Sequence, residues 1–199
     1  MSGKKTEQII YEVYNHEKLE LLQHLITHDP ALKSAMIYLC RKDEVHSLTT
    51  ALSQAGFHVD SIHGKKKPEA RNLALKEHIA GKLDYLVVTE ACARNMDISG
   101  VKTIINVDFP ELIKDYEHQV LSPSTERVYS FANPAKSGGN KLLKSLEELI
   151  EVSFPRATAE GFTYAKHALK VSTRNKQRKS GPRSKPLQNK KSKLKKKGR

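Results

Sequence analysis

Apolar residues up to Val152 fall into two rhythms: short continuous runs, and longer stretches where they recur every three or four positions. Short runs bounded by turn residues predict strands buried on both faces. They occupy residues 8–14, 35–40, 59–63, 84–89, 102–107 and 127–131. The spaced stretches predict amphipathic helices over residues 16–27, 43–55, 68–80, 112–120 and 141–152. The local punctuation agrees. Asp29-Pro30 breaks the first helix, Gly56 and Gly81 follow the second and third, and Pro68 suits a first helical turn. There is no internal repeat.

Strand and helix alternate with short connections, which predicts an α/β fold, a parallel sheet with helices on both faces. Such sheets gather ligands at the carboxyl ends of their strands. The residues of interest are therefore those after Cys40, His63, Thr89 and Asp108.

Charge changes the picture of the remainder. From Arg156 onward there are 16 Lys and Arg against one acid, Glu160, leaving 19 basic and 21 acidic residues before it from totals of 35 and 22. The front carries a net charge near −2 and the tail one near +15. A block of like charge cannot bury itself, so the expected division is a domain over residues 1–155 and a disordered basic tail over 156–199. A polyanion is the expected partner of such a tail, with nucleic acid the first candidate and a solubilising tail with no specific target the alternative. Cys40 and Cys92 form no CxxC pair, and no metal site is expected. The N-terminus has no apolar signal region and no run long enough to span a membrane, so a cytoplasmic location and no membrane partner are expected.

Four segments, in order, resemble the second RecA-like domain of DEAD-box RNA helicases. Met36-Ile37-Tyr38-Leu39-Cys40-Arg41-Lys42 looks like motif IV. His63-Gly64 with Arg71 resembles the HG…QxxR segment, with Pro68 in place of the usual glutamine. Val87 to Ile98 resembles motif V, VATDxAARGLDI, with Glu90 for aspartate and Asn95 for glycine. Val101 to Pro110 resembles the VxxVINYDxP strand, and Tyr116-Glu117-His118 the lead into motif VI. The resemblance implies that Arg71 and Thr89, with Arg41 or Lys42, meet RNA phosphates, with Gly64 admitting the backbone and Arg94 presented by the turn after the motif V strand. The run Lys65-Lys66-Lys67 beside His63-Gly64 sits at the expected ligand edge and is read as RNA-facing or as a solvated loop. The resemblance also implies a vestigial nucleotide contact for Asp97. Phosphate contacts of this kind position a strand without reading its bases. Structural roles compete: Arg94 could pair with Asp97 or Glu90, Arg71 could be an exposed helix residue, and Thr89 could cap the following turn.

The departures carry as much information. Motif VI reads HRIGRTGR in the family, and its arginines stabilise transition-state charge worth about 10³–10⁵ in rate. Here the stretch is His118-Gln119-Val120-Leu121-Ser122-Pro123-Ser124-Thr125, with Ser122 and Thr125 at the arginine positions. The sequence contains neither GxxxxGK followed by Ser or Thr nor DEAD. The expectation is a non-catalytic RNA-binding protein with no catalytic residues and no cofactor, ATP being usable only with a partner domain. Ribosomal RNA and a helicase or ribosome-assembly protein are candidate partners. The alternatives are a subunit completing a composite RNA-dependent ATPase and a protein-interaction module for a helicase.

Overall fold

The computed structural model describes residues 6–134, 138–150 and 153–165. Among the described residues, seven parallel strands form one sheet in the order β3-β4-β2-β5-β6-β1-β7. The strands are β1 (Glu7–Glu12), β2 (Ala35–Leu39), β3 (Val59–Ile62), β4 (Tyr85–Thr89), β5 (Thr103–Asn106), β6 (Arg127–Ala132) and β7 (Arg156–Ala157). The helices are α1 (Lys18–His28), α2 (Lys42–Gln54), α3 (Pro68–Ile79), α4 (Glu90–Ala93), α5 (Ile113–Val120) and α6 (Gly138–Ile150). The sheet is parallel throughout, as the alternation predicted, and RecA-like, as the resemblance implied.

The continuous apolar runs have a direct cause. Successive side chains of a strand point to opposite faces, and here each face is covered. Ala35, Ile37 and Leu39 enter one core with Tyr85, Val87, Ile105, Tyr129 and Phe131, beneath Leu21, Leu22, Leu25, Val45 and Leu48 of α1 and α2. Met36 and Tyr38 point the other way and meet Leu86, Val88, Ile104, Ala74 and Leu75. A third cluster joins Ile10, Phe109 and Tyr116 to Leu143 and Leu146 of α6. Each fully buried Leu, Ile, Val or Phe contributes about 1.5–3 kcal/mol, so the central strands hold the domain together. The turn Pro30–Leu32 is fixed to this core, because the hydroxyl of Tyr85 donates to Leu32 O at 2.7 Å.

One boundary moves. The composition break at Arg156 is not a structural break. The Ile10 amide donates to Pro155 O at 3.0 Å, and β7 pairs with β1 through Ile10 and Tyr11. Arg156 is held by Glu12 and Glu147, Ala159 is buried, and Phe162 and Tyr164 pack on the first core. The chain therefore stays on the body through Ala165. The basic tail expected to be disordered lies, from residue 166 on, outside the described residues.

Candidate nucleic-acid interface

The carboxyl ends of β3, β4 and β2 lie side by side. Register pairs Ile62 with Val88 and Leu39 with Thr89. Thr89 thus stands between the His63-Gly64 turn and the Cys40–Lys42 turn, on the edge where the sequence placed ligands. Thr89 is 7% exposed and makes no side-chain cap to α4, so the capping role does not account for it.

Positive charge converges at this end. Partial burial, then the charges of Lys42, Lys66, Arg71 and His46, hold the His63 imidazole below its ordinary range. Lost hydration and the neighbouring Lys65 likewise lower the Lys42 ammonium. Lys42, Lys65 and Lys67 are exposed. Not every nominated cation is available. The Lys66 ammonium donates to Asp60 Oδ2 at 2.5 Å and to Ser61 O at 3.0 Å. Arg71 donates from Nε to Lys66 O at 2.7 Å and from Nη2 to Gly64 O at 3.0 Å. These two residues brace the turn that presents Lys65 and Lys67. Arg41 is paired with Asp43 at 2.5 Å on open surface, where such pairs contribute little. A Cβ built on Gly64 would meet nothing within 4 Å, so the space beside it is open to a ligand backbone.

The turn after α4 is built differently from the expectation. Arg94 pairs with neither Asp97 nor Glu90 through hydrogen bonds. Its Nε and Nη2 donate to the two carboxylate oxygens of Asp115, at 2.6 and 2.7 Å. Asp97 stands apart from the basic turn. It lines a shallow cavity of about 400 Å³ against α5, with Lys114, His118 and Ser122. The Ser99 hydroxyl and amide donate to Asp97 and hold its carboxyl below the usual range. Gly100 closes this turn at φ +104°, and a Cβ there would meet Ile79 Cγ2 at 3.0 Å.

The other half of the edge is acidic, a feature absent from the sequence reading. Burial, then the charges of Asp115, Glu111 and Asp108, push the Glu90 carboxyl up to about 7. Desolvation, then the charges of Glu90, Asp108 and Glu111, push the Cys40 thiol up to about 12. Lys18 meets Asp108 at 2.6 Å. A cavity of about 530 Å³ opens here, with Leu22, Leu48 and Phe131 at its apolar wall and Glu44, Asp108 and Glu111 among its polar residues. The edge is therefore divided, basic over β3 and α3 and acidic around the ends of β4 and β5.

The counterpart of motif VI is packed inward. Thr125 is 2% exposed and its hydroxyl donates to Val101 O at 3.3 Å. The Ser122 hydroxyl lies 3.5 Å from Ile98 O. His118 Nε2 lies 3.1 Å from Met96 O, tying α5 to the turn after α4. Arg127, the nearest guanidinium in sequence, begins β6 and pairs with Glu7 at 2.9 Å, at the opposite edge of the sheet.

Fold and edge together define a RecA-like helicase domain of the C-terminal type. Residues 17–121 match the helicase conserved C-terminal domain family, and the chain belongs to that family. It is 31% identical over 166 residues to the ATP-dependent RNA helicase DBP2 of Debaryomyces hansenii, covering 78% of this chain and 31% of the relative. It is 32% identical over 120 residues to the ATP-dependent RNA helicase CshA of Listeria monocytogenes, covering 60% of this chain and 23% of the relative. The chain thus spans a third or less of these relatives. Solved structures share the fold. The C-terminal domain of the DEAD-box protein Dbp5 matches with a TM-score of 0.67 at 19% identity, covering 77% of this chain and 90% of that one. The E. coli DEAD-box protein SrmB, bound to regulator of ribonuclease activity A, matches with a TM-score of 0.66 at 23% identity, covering 79% and 92%. No helix among the described residues is long and apolar enough to cross a membrane.

Proposed function

We propose that this chain binds RNA through the sugar-phosphate backbone and does not by itself hydrolyse ATP. The observation that carries the reading is the convergence of Lys42, His63, Lys65 and the Arg71-braced turn beside the strand end at Thr89. Exposed ammonium groups on a braced turn suit phosphates, which fix register without reading sequence. The tail from residue 166 adds cations to the same molecule and makes binding steeply salt-dependent through counterion release. Its density of charge favours a structured, ribosomal type of RNA and a role in ribonucleoprotein assembly.

Loss of hydrolysis follows from Ser122 and Thr125. A hydroxyl cannot supply the delocalised charge of a guanidinium, and that of Thr125 is used internally. No cofactor is needed for backbone binding, and ATP use would require a phosphate-binding loop from another domain. The test combines two measurements on the full chain. RNA-stimulated ATP hydrolysis should be absent, while anisotropy with a single-stranded RNA should show binding that weakens as salt rises. Hydrolysis by the chain alone, or no binding at low salt, would overturn the reading.

One observation favours a second reading, a protein-interaction module. Leu112 and Ile113 at the start of α5 are 50% and 42% exposed, and Leu121 at its end, 75% exposed, lines the Asp97 cavity. Solved relatives are described as bound to regulator of ribonuclease activity A or to Gle1. Capture of a helicase partner that survives nuclease treatment, and is lost in Leu121→Asp, would support this reading over RNA binding alone.

A further inference from the structure

We propose that the cavity between the first turns of α1 and α2 is a docking site for a partner protein, and that it takes an arginine or lysine side chain with an apolar residue beside it. The cavity measures about 530 Å³, within the roughly 300–1,000 Å³ that binding pockets occupy. It opens at the carboxyl ends of β2 and β5, on the face of the sheet that α1 and α2 cover.

Its lining has two parts. Leu22, Leu48, Val107 and Phe131 form an apolar wall, and Leu19, 46% exposed, carries that wall out to the rim. Around the wall stand four carboxylates, Asp43, Glu44, Asp108 and Glu111, against two cations, Lys18 and Arg41. Both cations are already engaged. Lys18 meets Asp108 at 2.6 Å, and Arg41 meets Asp43 at 2.5 Å and Glu44 at 3.5 Å. Glu111 is exposed and enters no ion pair among the described residues. The lining therefore carries an excess of two negative charges. Its own groups register that excess. Lost hydration and then Asp108 raise the Glu44 carboxyl, although Arg41 opposes them. The Cys40 thiol on the same wall is raised by desolvation and then by Glu90, Asp108 and Glu111.

The occupant that fits brings positive charge and apolar surface together. Nucleic acid has the wrong sign for these carboxylates. A bare metal cation would leave the apolar wall in water. Arginine and lysine carry their charge on an aliphatic stem, which lies along apolar surface while the head group meets carboxylates. An apolar neighbour in the partner covers Leu19 at the rim. The site lies on the opposite face of the sheet from α5, whose Val120 packs on the second core. The proposal rests on the cavity alone and stands whether or not the chain binds RNA.

The test selects random displayed peptides on the full chain after nuclease treatment. The recovered peptides are then synthesised and titrated by anisotropy. They should carry an arginine or lysine next to an apolar residue. Binding should weaken about fivefold or more in the Glu44→Gln, Glu111→Gln double variant, and again in Leu19→Ser, whose side chain is too exposed to endanger the fold. In a Cys92→Ala chain the bound peptide should slow alkylation of Cys40 by iodoacetamide. Single-stranded RNA should bind the double variant at least as well as the parent chain. Recovery of no peptide, peptides without a cation, full binding to the double variant, or an unprotected Cys40 would overturn the proposal. Weaker RNA binding by the double variant would also overturn it, and would assign the cavity to a base of the RNA.

Discussion

Arg94 donates to both oxygens of Asp115 at 2.6 and 2.7 Å, so the turn after β4 is locked to α5 by a bidentate pair. The two sides are unequally placed: the Asp115 side chain is 5% exposed and that of Arg94 45%. Arg94→Ala leaves a buried carboxylate without its cation, whereas Asp115→Ala frees an arginine that can reach water. Asp115→Ala should cost about 1–2 kcal/mol, and Arg94→Ala more. Urea unfolding of both variants checks the order. Equal costs, or the reverse order, would mean that the pair does not depend on the burial of Asp115.

Glu90 predicts a pH dependence with a definite sign. Its carboxyl is pushed up to about 7, first by burial and then by Asp115, Glu111 and Asp108. A raised carboxyl pKa means that the folded state holds the proton more tightly than the unfolded state. Glu90 therefore lowers stability progressively as pH rises from the ordinary carboxylate range toward 7, and by a constant amount above it. Glu90→Gln should match the parent chain near pH 4 and exceed it at pH 8. Discounted for the partial exposure of the side chain, the gain is on the order of 1–2 kcal/mol. Denaturant titrations at the two pH values measure it, and a gain already present at pH 4 would contradict the sign.

The two hydroxyls at the lost arginine positions should respond differently to restoration. Thr125 is 2% exposed and bonded to Val101 O, so Thr125→Arg buries an unpaired charge and should cost about 3 kcal/mol or more. Ser122 is half-buried beside the Asp97 cavity, and Ser122→Arg should fall within about 0.5 kcal/mol of the parent. Neither should create RNA-stimulated ATP hydrolysis. Thermal melts and a phosphate-release assay on the two variants decide this, and a stable Thr125→Arg chain would show that the site can still take a guanidinium.

The fold was legible because parallel strands buried on both faces leave continuous runs, as in Ala35–Leu39 and Tyr85–Thr89, that few other arrangements produce. The ligand edge followed from the same order of elements. What escaped was set by distance or by backbone. β7 is two residues long and is held by main-chain bonds, which leave no mark on composition, and it sits where charge already resembles a tail. The resemblance nominated Arg71 and the place of its loop nominated Lys66 as ligand contacts, yet their donors serve Asp60 and the carbonyls of Gly64, Ser61 and Lys66. Asp115 lies 21 residues from Arg94, beyond any local spacing rule. The acidic half could have been suspected from Glu90, Asp108 and Glu111, each close after a strand end, but only the sheet order brings them together.

The central claim is that the basic turn beside Thr89 meets RNA phosphates. Its most direct test is the salt dependence of single-stranded RNA binding by the full chain and by the Lys42→Glu, Lys65→Glu double variant. Each phosphate contact contributes about 0.7 to the log–log slope. The double variant should bind about tenfold or more weakly at low salt, with a slope shallower by about 1–1.4. Unchanged affinity and slope would contradict the claim and leave the tail as the sole site of contact.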